Sequence, residues 1–136
     1  MNLPRLAASV LAVMAVPGLA VAEDALRLEL NTMESVQNRC RASFLMENKS
    51  DRLIESLQLD LVIFGIENTM QHRMVVEFGP VRRAKTTVKT YEIERDCPQI
   101  SAILINDIMA CEPGEPGSCL DKLELSSRVP GVRIFK

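Results

Sequence analysis

Apolar and polar residues alternate along most of this chain, and a period of two is typical of half-buried β-strands. Leu26, Leu28 and Leu30, for example, alternate with Arg27 and Glu29. Segment 54–61 also fits a helix, but it continues into Val62-Ile63-Phe64, which favours a strand. The alternation predicts seven strands: Leu26–Leu30, Cys40–Met46, Leu57–Ile63, Met74–Phe78, Thr86–Ile93, Ile100–Cys111 and Leu120–Leu125.

Seven short strands separated by turns predict an all-β fold, and we expect an antiparallel, seven-stranded immunoglobulin-like β-sandwich held by disulfides. Turn residues such as Asn48–Asp51 and Gly79-Pro80 end two of the strands. Cys40 lies on the second strand and Cys97 just before the sixth, so a disulfide between them would join the two sheets near one end. The assignment rests on the number of strands, since the chain has no tryptophan of the kind buried in true immunoglobulin domains.

The start of the chain has the pattern of a cleavable signal peptide. Arg5 precedes the apolar run Leu6–Val16, and Ala20-Val21-Ala22 supplies the small-x-small pattern that signal peptidase reads. The run is far shorter than the roughly 20 residues that span a bilayer, so cleavage near Ala22 is favoured over a membrane anchor. We expect export to the periplasm and three parts of the chain: 1–22 the signal peptide, 23–128 the β-sandwich domain and 129–136 a C-terminal tail.

All four cysteines, Cys40, Cys97, Cys111 and Cys119, follow the predicted signal peptide. An even number in an exported chain is typical of disulfides, whereas no CxxC motif or zinc-type spacing indicates a redox or metal site. Three pairings are possible, and the spacing does not choose among them. The Pro- and Gly-rich turn at 112–118 favours Cys111–Cys119, which would leave Cys40–Cys97 to tie distant strands.

Composition and charge narrow the function classes. The 136 residues carry a net charge of −2, and loss of Arg5 with the signal peptide makes it −3, which argues against a nucleic-acid partner. The only histidine, His72, would have to serve any Ser-His-Asp or Cys-His site, and no Gly-x-Ser-x-Gly motif accompanies it. We therefore expect neither enzymatic activity nor a cofactor.

Met70, His72 and Met74 would share one face of a strand, because residues i, i+2 and i+4 do so. Two thioethers and an imidazole suit Cu(I), which gives the alternative of a periplasmic copper carrier. However, the row continues into Val76 and Phe78 as a core face would, and a straight strand spreads the three Cα atoms over about 13 Å. Core packing is favoured, and no metal site is predicted.

The third and sixth predicted strands are apolar on both faces where they would be neighbours, although a sandwich strand should have one polar face. Val62 and Phe64 would then lie beside Ala102 and Leu104, or beside the alternate residues of that strand, in one outward patch. An exposed apolar patch of this kind is either covered by another part of the chain or binds another molecule. Either the chain's own tail, Val129–Phe135, folds over the patch, or the patch docks another protein or a second copy.

Four stretches resemble those of small exported bacterial proteins of uncharacterised function: Cys40-Arg41-Ala42, 56–64, 85–89 and 103–107. The resemblance spans most of the mature chain, implies a bacterial, periplasmic setting and carries no catalytic residues. The pattern is also similar to immunoglobulin-like modules of bacterial envelope proteins, which mostly serve contact rather than chemistry.

These observations together predict a non-enzymatic periplasmic protein that works by protein–protein interaction, as an accessory or assembly module of an envelope complex. The residues expected to bind a partner are Val62, Phe64, Ala102 and Leu104. The partner is expected to be another envelope protein or a second copy, with no transmembrane segment in the mature chain. The alternative function is copper carriage by the Met70, His72 and Met74 row.

Overall fold

The computed structural model describes residues 12–18 and 25–136. Residues 12–18 are exposed and have no regular secondary structure; the rest of the predicted signal peptide and its cleavage site lie outside the described residues. Residues 25–136 form eight strands, one 3₁₀ turn (Cys97–Gln99) and one short helix. The elements are β1 (Leu26–Val36), β2 (Arg39–Asn48), β3 (Ser56–Gly65), β4 (Met70–Glu77), β5 (Lys85–Ile93), β6 (Ile100–Glu112), α1 (Pro116–Lys122), β7 (Leu123–Ser127) and β8 (Arg133–Phe135).

The strands form two four-stranded sheets. The first has the order β5-β2-β1-β7 and the second the order β4-β3-β6-β8. The edge strands β7 and β8 run parallel to β1 and β6, whereas the other pairs are antiparallel. The all-β prediction is confirmed, but the prediction of seven antiparallel strands is wrong, because the described residues form eight strands in two mixed sheets. Alternation reveals which residues face the core and carries no information on strand direction.

Residues 129–136, expected as a tail beyond the domain, contribute the last strand of the second sheet. β8 pairs with residues 102–104 of β6, and Val132 just before it is buried. A strand of three residues is too short to show a period of two, so the alternation could not reveal it.

The two sheets face each other across one shared core. Leu28 and Leu30 of the first sheet and Leu59 and Ile63 of the second are all fully buried in it. Their neighbours along each strand point outward, as the pleat requires. The alternation therefore predicted the core-facing residues correctly even where it misjudged the number of strands.

The hairpin between β1 and β2 closes with two residues in the left-handed region. Gln37 has a φ of 51° and Asn38 a φ of 63°, the geometry of a type I′ turn, in which asparagine is favoured. Because this turn matches the right-handed twist of the flanking strands, β1 extends to Val36, beyond the end predicted from the alternation.

The predicted seventh strand, Leu120–Leu125, is wrong in its first half. This stretch begins inside α1, and β7 starts only at Leu123. Pro116 stands in the first turn of α1, where its missing N–H costs no hydrogen bond, and Cys119 is the helix residue turned into the core. α1 has seven residues, and the described part of the chain contains no helix able to span a bilayer.

Two disulfides form in the pairing that the turn at 112–118 favoured. Cys40 and Cys97 have their Cα atoms 4.8 Å apart and connect β2 of the first sheet to the 3₁₀ turn that leads into the second sheet. Cys111 and Cys119, with Cα atoms 6.5 Å apart, fasten α1 to the end of β6. The described residues contain no free cysteine.

An aromatic cluster closes one side of the core. The ring of Phe78 lies 5.6 Å from that of Phe44 and 5.4 Å from that of Tyr91, both edge to face, as ring quadrupoles favour. The Tyr91 hydroxyl donates a hydrogen bond to the backbone oxygen of Glu77, which links β5 of the first sheet to β4 of the second.

Burial, together with the nearby Glu77 carboxylate, raises the pKa of Tyr91 to about 12. Because the folded state holds this proton more tightly than the unfolded chain, the stability it contributes is present below pH 10 and is lost between about pH 10 and 12. Tyr91 is the single tyrosine, so ultraviolet absorbance of the tyrosinate should give a midpoint near 12 for the folded protein. In denaturant the midpoint should fall to about 10. A midpoint of about 10 in the folded protein would contradict the buried position of this hydroxyl.

Candidate functional site

The four residues predicted to bind a partner lie together on the outer face of the second sheet. Val62 of β3 is paired directly with Leu104 of β6, and Phe64 with Ala102. Directly paired residues of antiparallel strands share a face, and the alternate residue Ile63 belongs to the core. The structure therefore adopts one of the two arrangements that the sequence allowed, with residues 102 and 104 outward.

β8 extends this face on one side. Phe135 is paired with Leu104, and its ring centroid lies 6.2 Å from that of Phe64. The centre of the face is closed, since Val62 and Ala102 are only 6% and 1% exposed, whereas Phe64 and Leu104 are half-buried. The C-terminal tail therefore does not fold over the patch. It forms the edge strand β8 beside the patch, and its Phe135 ring packs against Phe64.

β4 extends the same face on the other side. Met70 is paired with Phe64, and Val75 with Asp60. These two apolar side chains are well exposed, Met70 at 65% and Val75 at 56%. We refer to the following residues as the outer apolar face: Val62, Phe64, Met70, Val75, Ala102, Leu104 and Phe135.

A buried carboxylate lies under this face. Asp60, 1% exposed, accepts hydrogen bonds from Arg73 Nε at 2.9 Å and Nη2 at 2.6 Å, and from Asn106 Nδ2 at 2.7 Å. The hydrogen bond from Arg73 holds the pKa of Asp60 below its ordinary value, against the effect of burial, and Asn106 adds to the lowering. The Arg73 side chain remains 60% exposed, so the ion pair presents guanidinium N–H groups at the surface.

Sequence reasoning did not single out Asp60 or Arg73. The two residues are 13 positions apart and meet diagonally because Asp60 is paired with Val75 and Arg73 with Val62. An acidic and a basic residue on the two strands of one hairpin can indicate an ion pair. This signal can be used only when the register of the hairpin is known.

Arg133 of β8 lies at the opposite edge of the face. Its guanidinium carbon is 4.3 Å from the centroid of the Phe135 ring, a cation–π contact. The side chain is exposed, and no carboxylate of the described residues forms an ion pair with it. The face therefore has an arginine at each edge.

The outer face of the first sheet has a different character. Serine and threonine hydroxyls meet there, as in the 2.8 Å hydrogen bond between Ser43 and Thr90. The same face carries the ion pairs Arg27–Glu47, Arg27–Glu124, Arg39–Glu92, Arg41–Glu92 and Arg128–Glu29. Ion pairs at a surface add little stability, but they keep the surface polar. The two outer faces thus differ sharply: one carries paired charges and the other an apolar surface.

The solved structure of IrmA from Escherichia coli is similar to this fold. It superposes with a TM-score of 0.57 over 74% of this chain and 90% of the IrmA chain, at 15% sequence identity. Likeness at this identity shows the fold alone, and it supports the resemblance to small β-rich bacterial proteins at that level. No protein-family model and no curated protein sequence matches the chain.

The structure divides the row of Met70, His72 and Met74 between two faces. The register of β3 and β4 shifts after Ile63, so that Met70 is paired with Phe64 on the outer face while His72 is paired with Ile63 on the core side. Met74 packs against the core. In the described residues no group of three or more His, Cys, Asp or Glu side chains is placed to hold a metal ion.

A cleft of about 360 Å³ lies between the loop at residues 50–54 and α1. The Cys111–Cys119 disulfide lines it, together with charged residues of both signs such as Arg52 and Glu112. His72 is not among its lining residues. The cleft and the one histidine of the chain are therefore separate features.

Proposed function

We propose that this chain is an exported, periplasmic protein with an immunoglobulin-like sandwich, and that it works by contact as an accessory or assembly module of an envelope complex. Its docking surface is the outer apolar face of the second sheet. Two disulfides support an oxidising compartment, because such bonds persist outside the cytosol.

The contrast between the two outer faces carries the proposal. A contiguous apolar surface on a small domain is typical of an interaction site. Interface centres are also apolar and poor in charge, with arginine among the few charged residues enriched there. The outer apolar face has this composition, with Arg73 and Arg133 at its edges, whereas the first sheet presents paired charges.

The ion pair between Asp60 and Arg73 adds a second reason. Asp60 is buried while the Arg73 side chain is 60% exposed, so the pair holds a guanidinium in place at the edge of the face, where it can fix the register of a docked partner. Copper carriage gains no comparable support, since Met70 lies on a different face from His72 and Met74.

Two valines of similar exposure provide the test. Val75 (56% exposed) is on edge strand β4 of the second sheet, and Val88 (60% exposed) is on edge strand β5 of the first. A benzophenone amino acid at position 75 is expected to cross-link a discrete partner in the intact cell envelope, and the same residue at position 88 is expected to form no such adduct. Adding Met70→Glu should lower the yield at position 75 about tenfold, because a charge in an apolar contact costs at least about 1.4 kcal/mol.

These positions are better than Phe64, whose replacement would also disturb its packing against Phe135. Both variants should unfold at the temperature of the unmodified protein, since exposed substitutions usually change stability by about 0.5 kcal/mol or less. Equal adducts from both positions, or adducts from neither, would show that this face is not the docking surface.

A further inference from the structure

We propose that the occupant of the outer apolar face is an amphipathic helix of another protein, whose apolar stripe is bordered on both sides by carboxylates. This inference rests on the docking role proposed above and names the chemistry of the partner. It is carried by the placement of Arg73 and Arg133 on the two edge strands of the second sheet, with the apolar side chains of Val62, Phe64, Ala102 and Leu104 between them.

The spacing of the two arginines fits a helix. Arg73 is on β4 and Arg133 on β8, with β3 and β6 between them. Three strand spacings of about 4.8 Å put the two backbones about 14 Å apart across the sheet. A helix with its side chains is about 10–12 Å wide, so one lying along β3 and β6 covers the strip between the arginines and brings its two flanks within reach of both. A single extended strand, about 4.8 Å wide, covers only part of that strip.

The hydrogen-bonding state of the arginines favours carboxylates on those flanks. Arg133 is exposed, and stacking on Phe135 holds its guanidinium in place, ready for a bidentate carboxylate. Arg73 donates hydrogen bonds from Nε and Nη2 to Asp60, and its Nη1 makes no hydrogen bond within the described residues. Because Asp60 balances the charge of Arg73, Arg73 offers a fixed donor, while Arg133 supplies the net positive charge.

The acidic groups of the same face leave room for partner carboxylates near Arg133. The Glu77 carboxylate is turned away to accept hydrogen bonds from the backbone N–H groups of Leu57 and Gly79, both at 2.7 Å. Asp107 is exposed and is paired with Asp60, two rows along the strands from Arg133. The helix should therefore carry its carboxylates at the end of the face near Phe64, away from Asp107.

Charge also distinguishes this occupant from two others. A second copy docked through the same face would offer Arg133 few free carboxylates, because Asp60 is bonded to Arg73 and Glu77 accepts hydrogen bonds from backbone N–H groups. Without Arg5 of the predicted signal peptide the chain has a net charge of −3, so an anionic bilayer would repel it at long range. A helix from another protein meets only the local positive edges.

Two synthetic peptides serve as probes: they share leucines at i, i+3, i+4 and i+7, and one has glutamates and the other lysines on both flanks. The glutamate peptide is expected to bind the oxidised protein at least about tenfold more tightly. Arg133→Gln should weaken that binding up to about fivefold, in keeping with one exposed charge pair. Arg39→Gln, which removes an exposed arginine from the outer face of the first sheet, should leave it unchanged. Amide chemical shifts should move at Phe64, Leu104 and Val75, and not at Val88.

Equal binding of the two peptides, binding of neither, or insensitivity to Arg133→Gln would overturn the acidic-helix proposal. So would attachment to phosphatidylglycerol vesicles without peptide binding, or a dimer in sedimentation that the glutamate peptide does not displace. A cross-link from position 75 in the envelope combined with any of these results would leave the docking role standing and remove only the helix.

Discussion

Replacing Phe78 with alanine is expected to lower the free energy of unfolding by about 3–5 kcal/mol, a large part of the total stability of a small domain. Phe78 is fully buried and packs edge to face against both Phe44 and Tyr91. Removing its ring leaves a cavity that β2, β4 and β5 cannot close, because Tyr91 is tied to the backbone of Glu77. Urea unfolding followed by circular dichroism measures the loss.

Two control variants show how much of the lost stability comes from the cavity and how much from substitution as such. Phe78→Leu keeps most of the apolar volume and should cost clearly less than Phe78→Ala. Val88→Ala, on the exposed edge strand β5, should stay within about 0.5 kcal/mol of the unmodified protein. Similar losses for all three variants would mean that the aromatic cluster does not hold the sheets together.

Removing the Cys40–Cys97 disulfide, by changing both residues to alanine, is expected to cost about 4 kcal/mol. The bond closes a loop with a sequence separation of 57, and the stabilisation comes mainly from restricting the unfolded chain. It also connects the first sheet to the start of β6. The loss is read from urea unfolding of the double variant beside the oxidised parent.

The Cys111–Cys119 disulfide provides the internal comparison. Its separation of 8 residues gives an expected loss of about 2.5 kcal/mol for the corresponding double alanine variant. A larger loss from this short loop than from the long one would contradict the loop-entropy explanation. It would instead place the main contribution in the packing of α1 against β6.

Much of the fold could be predicted from local pattern. Along β2, Cys40, Ala42, Phe44 and Met46 are buried as their alternation indicated, because a strand between two layers must place every second side chain inward. The Pro-Gly-rich turn likewise indicated the disulfide pairing, since it keeps the ends of its segment close together.

Other elements escaped the pattern for identifiable reasons. The predicted seventh strand begins three residues too early, inside α1, because a helix of seven residues is too short to show a helical period and its buried Cys119 is held there by Cys111. β8 is too short to show a period, and the parallel direction of β7 and β8 depends on where the chain crosses between layers.

The candidate site was predictable only at its centre. Val62, Phe64, Ala102 and Leu104 stood out because their strands are apolar on both faces, and the pairing of β3 with β6 then placed them side by side. Phe135 joined them only because β8 pairs in register with β6. The same dependence on register explains why Met70 does not share a face with His72 and Met74. One register shift between β3 and β4 places Met70 on the outer face.

The chain by itself therefore determined the all-β class, the core-facing residues and an apolar surplus on two strands, because these follow from side-chain polarity at a period of two. The tertiary structure alone decided the directions of the edge strands, the burial of Asp60 under Arg73 and the position of Arg133 across the face. Those features depend on which strands become neighbours and in what register, and neighbours in space are set by packing of the whole chain rather than by any local stretch.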